Sequence, residues 1–203
     1  MKLYYAAPSP FARKVHVTLI ETGLIDQCEM VPTIATPLQT DAGPIAQNPL
    51  GKVPVLEVND RPSIYDSRVI CRYLDDRAGG GLYPAAPEIW DTLVLEATAD
   101  GILEAAVLMV YEGRVRAPDK QSEAWIATQW AKVARSLDVL EQRWMGHLNG
   151  KLDAGQIGIG CALGYLDFRH AEREWRAARP SLARWFEAFS ERPSMQETVP
   201  KDP

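Results

Sequence analysis

The chain has 203 residues, 46% of them hydrophobic, which suits one large or two small globular domains. Its 22 lysines and arginines stand against 27 acids, a net charge of -5 with no basic cluster, and this argues against a nucleic-acid or anionic-membrane partner. No apolar run is long enough to span a bilayer, Lys2 leads into a short strand rather than a signal peptide, and Cys28, Cys71 and Cys161 form neither a disulfide framework nor a metal-ligand pair. The expectation is a cytoplasmic protein without a metal.

In chain order, Leu3 to Ala6 predicts a strand, and Pro10 to Thr22 a helix with Phe11, Val15, Thr18 and Leu19 on or near one face, ended by Gly23. Glu29 to Val31, Val53 to Val58 and Ser63 to Tyr65 predict further strands, the last two joined by a turn at Asn59-Asp60. A helix starting at Ser67 carries Val69, Ile70, Tyr73 and Leu74 before three glycines. The order is that of a small α/β domain over 1–79, and the glycine- and proline-rich stretch 80–86 reads as a linker.

The remainder, 87–203, predicts an all-α bundle. A long helix over Ile89 to Arg116 carries apolar residues around much of its circumference, so it needs burial on more than one side. Ile126, Trp130, Val133, Leu137, Leu140 and Trp144 form one stripe on a second long helix, and Leu182, Trp185, Phe186 and Phe189 another near the end.

Three short segments carry the chemistry. In Asn48-Pro49-Leu50-Gly51-Lys52-Val53-Pro54 a proline opens an apolar strand, where it has no amide to give to the ladder. A cis Val53-Pro54 bond there leaves the Val53 amide and carbonyl outward, able to pair with an extended peptide. Ser9 stands before Pro10 as a helix N-cap, which is ordinary capping chemistry but also puts a hydroxyl at the positive end of a helix beside the strand ends. Tyr65-Asp66-Ser67 supplies a second helix start, with Ser67 as N-cap offering hydroxyl and amides to an anion and Asp66 a carboxylate to an ammonium. Together these groups fit a zwitterionic peptide bearing one reactive group.

The segments SPFARKV, NPLGKVP and YDS, in this order and spacing, with the ending from Pro180-Ser181-Leu182 through Trp185 to Arg192-Pro193-Ser194, resemble the glutathione S-transferase family. The resemblance covers essentially the whole chain. It implies a thioredoxin-like N-terminal domain of order βαβαββα, a C-terminal helical bundle, and a homodimer in which the α/β domain of one subunit meets the helical domain of the other. Glutathione would then be the co-substrate. Val53 would pair with its cysteinyl unit, Pro54 would be cis, Asp66 and Ser67 would hold the γ-glutamyl end, and Lys52 would lie near the glycine carboxylate. Ser9 would hydrogen-bond the sulfur, and Asp100 is the candidate for a contact with the partner subunit's glutathione. An apolar pocket for a small electrophile would lie between the domains, at Phe11, Met109 and Tyr111.

The energetics suit Ser9. Lowering a thiol pKa of about 8.5 by two units needs about 2.7 kcal/mol. A hydrogen bond to a charged group offers roughly 1.5 to 3 kcal/mol and a helix N-terminus about 0.3 to 1. No general base is required. The family's Ser/Thr-x-x-Asp box early in the buried C-terminal helix is replaced by Gln156-Ile157-Gly158-Ile159, leaving that helix without an evident cap. No Cys-x-x-Cys supports thioredoxin chemistry, and His16, seven residues beyond Ser9 and about 10 Å along a helix, is out of reach for a hydrolase. The alternative from another class is a non-catalytic glutathione-binding or protein-interaction member of the same fold.

Overall fold

The computed structural model describes residues 1–59 and 61–202. Strand β1 (Lys2–Tyr5) is central in a three-stranded sheet, parallel to β2 (Glu29–Pro32) and antiparallel to β3 (Val55–Glu57). Leu3 pairs with Met30 on one side and Leu56 on the other. Pro54 has no amide to donate, so the strand expected from Val53 begins at Val55 and leaves Val53 and Pro54 ahead of it.

The strand expected over 63–65 is reduced to a single antiparallel bridge between Leu56 and Ile64. Pro62 precedes it and the next helix starts at Ser67, so only one residue pair has room to form. The turn expected at Asn59-Asp60 falls on Asp60, outside the described residues. Between β2 and β3 a short 3-10 turn stands where the βαβαββα order has a helix, in a stretch broken by Pro37, Gly43 and Pro44.

Helix α1 (Pro10–Glu21) starts as expected, with the Ser9 Oγ accepting the Ala12 amide at 3.3 Å. Its Val15 and Leu19 pack on the sheet while Val17 enters the helical core. In α2 (Ser67–Ala78) the cap is Asp66 rather than Ser67: the carboxylate accepts the Arg68 amide at 3.1 Å, and Ser67 is the first helical residue. The linker is pinned from below by Asp75, which accepts the amides of Leu82 (2.8 Å) and Tyr83 (3.1 Å).

The helical part comprises α3 (Ile89–Val115), α4 (Glu123–Val139), α5 (Met145–Leu148), α6 (Ala154–Arg169), α7 (Pro180–Ser190) and α8 (Pro193–Glu197). The single helix expected through Ile126 to Trp144 is interrupted: a turn of π-helix over Leu140–Trp144 separates α4 from α5. The wider turn shifts the stripe's phase, so Leu140 stays fully buried and Trp144 is only half-buried.

Helix α6 is the axis of this core, buried over nearly its whole length against α3. It is capped after all, by a box that starts one turn before Gln156. Asp153 Oδ1 accepts the Gln156 amide at 2.9 Å, and Gln156 Oε1 accepts the Asp153 amide at 3.2 Å. The same aspartate accepts from Thr92 Oγ1 of α3 at 2.7 Å, tying cap to core. A Cβ at Gly155 would lie 2.7 Å from Leu95 Cβ and 3.0 Å from the Thr92 carbonyl, so only glycine lets α6 approach α3 this closely.

The two layers are joined through α1. Arg13, buried, donates to Thr198 Oγ1 and to the Met195 carbonyl, and Glu21 receives both arms of Arg192 at 2.8 Å. No helix among the described residues is long and apolar enough to cross a membrane, and none of their His, Cys, Asp and Glu side chains forms a group of three or more able to hold a metal ion.

Candidate functional site

The carboxyl end of β1, the β3 approach and the N-termini of α1 and α2 open onto one cleft of about 550 Å³, closed on its far side by α3 and α6. Ser9, Phe11, Lys52, Val53, Pro54, Asp66, Ser67, Asp100 and Tyr111 all line it. Met109 does not. It is buried, 6% exposed, because residues 107, 108, 110 and 111 of α3 take the cleft-facing side and turn 109 away from it.

The loop before Pro54 is built by Asn48, whose amide group braces both ends. Oδ1 accepts the Leu50 amide at 3.0 Å and Nδ2 donates to the Lys52 carbonyl at 3.0 Å. Gly51, at φ 62, makes the left-handed turn that a side chain would resist. The Val53–Pro54 bond is cis, as is Tyr65–Asp66. Neither the amide nor the carbonyl of Val53 has a backbone partner among the described residues, so both are free to pair with an extended ligand.

Ser9 uses an oxygen lone pair for the Ala12 amide and keeps its O–H to donate. Ser67 is 3% exposed as a residue, and its hydroxyl has no partner among the described residues. No buried side-chain oxygen there lacks a partner, so the hydroxyl reaches the open cleft beside the start of α2.

Behind these groups lies an ionic cluster that the sequence reading did not single out. Lys14 of α1, 1% exposed, reaches Asp100 Oδ1 at 2.7 Å and Glu96 Oε1 at 3.4 Å, both on α3. Asp100 is therefore neither solvated nor free; Arg68 Nε also approaches its other oxygen at 3.6 Å. Burial pulls the Lys14 ammonium down, but the charges around it, Asp100 and Glu96 among them, outweigh burial and hold it above the usual lysine value. Burial pushes the Glu96 carboxyl up, although Lys14 and the Tyr83 hydroxyl at 2.9 Å oppose that. The legible signal was Glu96 and Asp100 themselves: like charges one turn apart among the apolar residues of a long helix call for a cation between them.

Asp66 is held below the usual carboxylate range: burial pushes it up, but the Arg68 guanidinium at 2.9 Å, its backbone amide and Lys14 outweigh that. An incoming ammonium would thus share Asp66 with Arg68. Cys71 lies under the site, where burial raises its thiol to about 12, so it stays protonated. The α3 and α6 walls add Glu104, Arg114, Tyr165 and Arg169, none foreseen, because only the packing of α6 on α3 brings residues 114 and 169 to one wall.

A thioredoxin-like sheet with a cis-proline loop, facing a helical bundle across a shared cleft, is the glutathione S-transferase fold. The family model "Glutathione S-transferase, N-terminal domain" matches residues 8–77, and "Glutathione S-transferase, C-terminal domain" matches 123–188. The chain belongs to this family. It is 36% identical to "Uncharacterized GST-like protein YibF" of Escherichia coli (strain K12), over 98% of each chain. A crystal structure of a glutathione transferase family member from Pseudomonas fluorescens Pf-5 with bound glutathione matches at 42% identity and a TM-score of 0.96, covering 99% of each chain. Another from Pf-5, with bound S-(propanoic acid)-glutathione, matches at 41% identity and 0.92, covering all of each.

Proposed function

We propose that this protein is a glutathione transferase that activates the glutathione thiol for attack on a small, largely apolar electrophile. One observation carries the reading: a serine hydroxyl at a helix N-terminus, an unpaired backbone pair at Val53 and a second helix start at Asp66-Ser67 open onto the same cleft. The peptide's extended backbone would pair with Val53 ahead of Pro54. Asp66 and Ser67 would take the γ-glutamyl end, Lys52 the glycine carboxylate, and Ser9 would donate to the sulfur. The electrophile would enter between Phe11 and Tyr111. The neighbour carrying S-(propanoic acid)-glutathione supports the chemistry, since that molecule is a thioether of the kind a glutathione thiolate forms.

Within this reading the α/β domain spans 1–79, a linker 80–86 and the helical domain 87–203. We assign the protein to the cytoplasm, where glutathione keeps thiols reduced; its three cysteines are free and buried. Calorimetry of glutathione binding tests the ligand, and turnover of a panel of electrophiles with and without glutathione tests the activity. Ser67→Ala should weaken glutathione roughly 10- to 100-fold, the loss of a hydrogen bond to a charged group. Unchanged affinity in the folded variant rejects that role, and tight binding without turnover of any electrophile favours a non-catalytic binder.

We also propose a homodimer. Trp90 (64% exposed) and Val94 (50%) on α3, with Val69 (51%) on α2 and Leu50 (60%), leave apolar side chains from both layers in solvent. A two-fold assembly would cover them. Light scattering at micromolar concentration should return twice the 22.6 kDa chain mass, and a monomer throughout a dilution series would end the proposal. Asp100 would not then need a partner's ligand to explain it, since Lys14 already satisfies it within the chain.

A further inference from the structure

The wall of the cleft opposite Ser9 changes sign along its length. On α3 the cleft-lining residues Asp100, Glu104, Leu108, Tyr111 and Arg114 follow one another at intervals of three or four, one stripe of one helix. Its acids lie toward the α2 end, and Arg114 lies about 15 Å farther along the axis than Glu104. There α6 contributes Arg169, whose side chain is only 11% exposed. A largely buried guanidinium needs an anion. No helix or strand among the described residues supplies one. The carboxylate comes from Asp202, in the segment after α8, which Arg169 grips with both arms at 2.5 and 3.2 Å while Arg114 stands 3.9 Å away.

These partners are unequally held. The Asp202 side chain is 60% exposed, and the hydrogen bonds from Arg169 keep its carboxyl below the usual carboxylate range. An exposed acid on an extended segment makes a weak, exchangeable ion pair, whereas the guanidinium fork is fixed in the cleft wall beside Tyr111 and Tyr165.

We infer that this end of the cleft takes an electrophile that carries a carboxylate, and that the substrate's carboxylate replaces Asp202 on Arg169 and Arg114. The inference rests on the transferase reading above and names its substrate class. The carboxylate is a spectator that orients the reacting carbon. With 4-chloro-3-nitrobenzoate, for example, the S–C bond forms, the C–Cl bond breaks with its electron pair leaving as chloride, and the thiol proton passes to solvent.

The test compares S-(4-carboxybenzyl)glutathione with its carboxamide by calorimetry, alongside kcat/KM for 4-chloro-3-nitrobenzoate against 4-chloro-3-nitrobenzamide. The protein as it stands should favour the acid in both pairs. Arg169→Gln should cut the acid-to-amide ratio about tenfold, Arg114→Gln by less, and Arg169→Lys should keep an intermediate value. Asp202→Asn should raise the ratio roughly threefold or more, because it removes an internal competitor. A ratio that is the same in all four variants, or that falls in Asp202→Asn, overturns the inference. Unmodified glutathione is titrated in parallel: failure to bind it overturns the transferase reading, whereas normal binding with a flat ratio overturns only the carboxylate preference.

Discussion

Replacing Lys14 with Met should lower the unfolding free energy by about 3 to 5 kcal/mol, the usual consequence of stranding buried charges. Glu96 and Asp100 are 4% and 5% exposed and one helical turn apart, and Lys14 Nζ is the charge that lies between them. Met fills the same volume with no ammonium, leaving two buried carboxylates to face each other. Against a total stability of about 5 to 15 kcal/mol, that is a large fraction. Urea unfolding measures it, and a loss under about 1 kcal/mol would show that Arg68 and Tyr83 suffice to satisfy the acids. Combining Lys14→Met with Glu96→Gln and Asp100→Asn should recover much of the loss, because the damage lies in the uncompensated acids rather than in the missing lysine.

The pH dependence of this defect has a definite sign. Glu96 already titrates above its ordinary value in the fold, chiefly through burial, and removing Lys14 raises it further. A raised carboxyl pKa gives stability that is present below the unfolded value of about 4.3 and lost as pH rises through the folded value. The deficit of Lys14→Met against the parent is therefore largest at neutral pH and shrinks on acidification toward the unfolded carboxyl value of about 4.3. Lys14's own contribution runs the other way. Its raised pKa keeps the pairing intact below the unfolded lysine value of about 10.4 and loses it only above, so at pH 7.5 the parent has it in full.

Ser9→Ala should slow conjugation about 10- to 100-fold at pH 6.5, while glutathione binds nearly as well. The hydroxyl spends a lone pair on the Ala12 amide at 3.3 Å and retains its proton for the sulfur. Losing that donor should raise the bound thiol by roughly one to two pKa units, about 1.4 to 2.7 kcal/mol. Because the shift is upward, the rate gap narrows as pH climbs past the variant's thiol pKa, where both proteins hold thiolate. Ser9→Thr should restore part of the rate. The variant also loses a helix cap worth about 1 kcal/mol of stability, so the kinetics are read well below its melting temperature. An ultraviolet thiolate titration that matches the parent would transfer the role to another hydroxyl on the cleft, Tyr111 or Tyr165. The latter is pushed up to about 12 chiefly by burial and so remains a donor.

Much of this protein is legible residue by residue. The Ser9-Pro10 helix start, the cis Val53–Pro54 approach, the Asp66-Ser67 start of α2 and the apolar faces of α4 and α7 follow from rules that act within a few residues: which side chain caps, which lacks an amide, which recurs every three or four positions. Local rules misread the structure where two of them compete. Asp66 and Ser67 are both good caps, and the aspartate takes the position; Asp153 caps α6 one turn before Gln156-Ile157-Gly158-Ile159. Packing decided what no window of sequence contains. Lys14 is buried only because α1 docks on α3, 82 residues away in sequence from its Glu96 partner, and Met109 is buried because the phase of α3 turns it away from the cleft that its neighbours line. Arg114, Arg169 and Asp202 meet only through the packing of α6 on α3 and the path of the segment after α8. Charges separated by scores of residues gain their meaning from burial, and burial is a property of the assembled layers rather than of any segment.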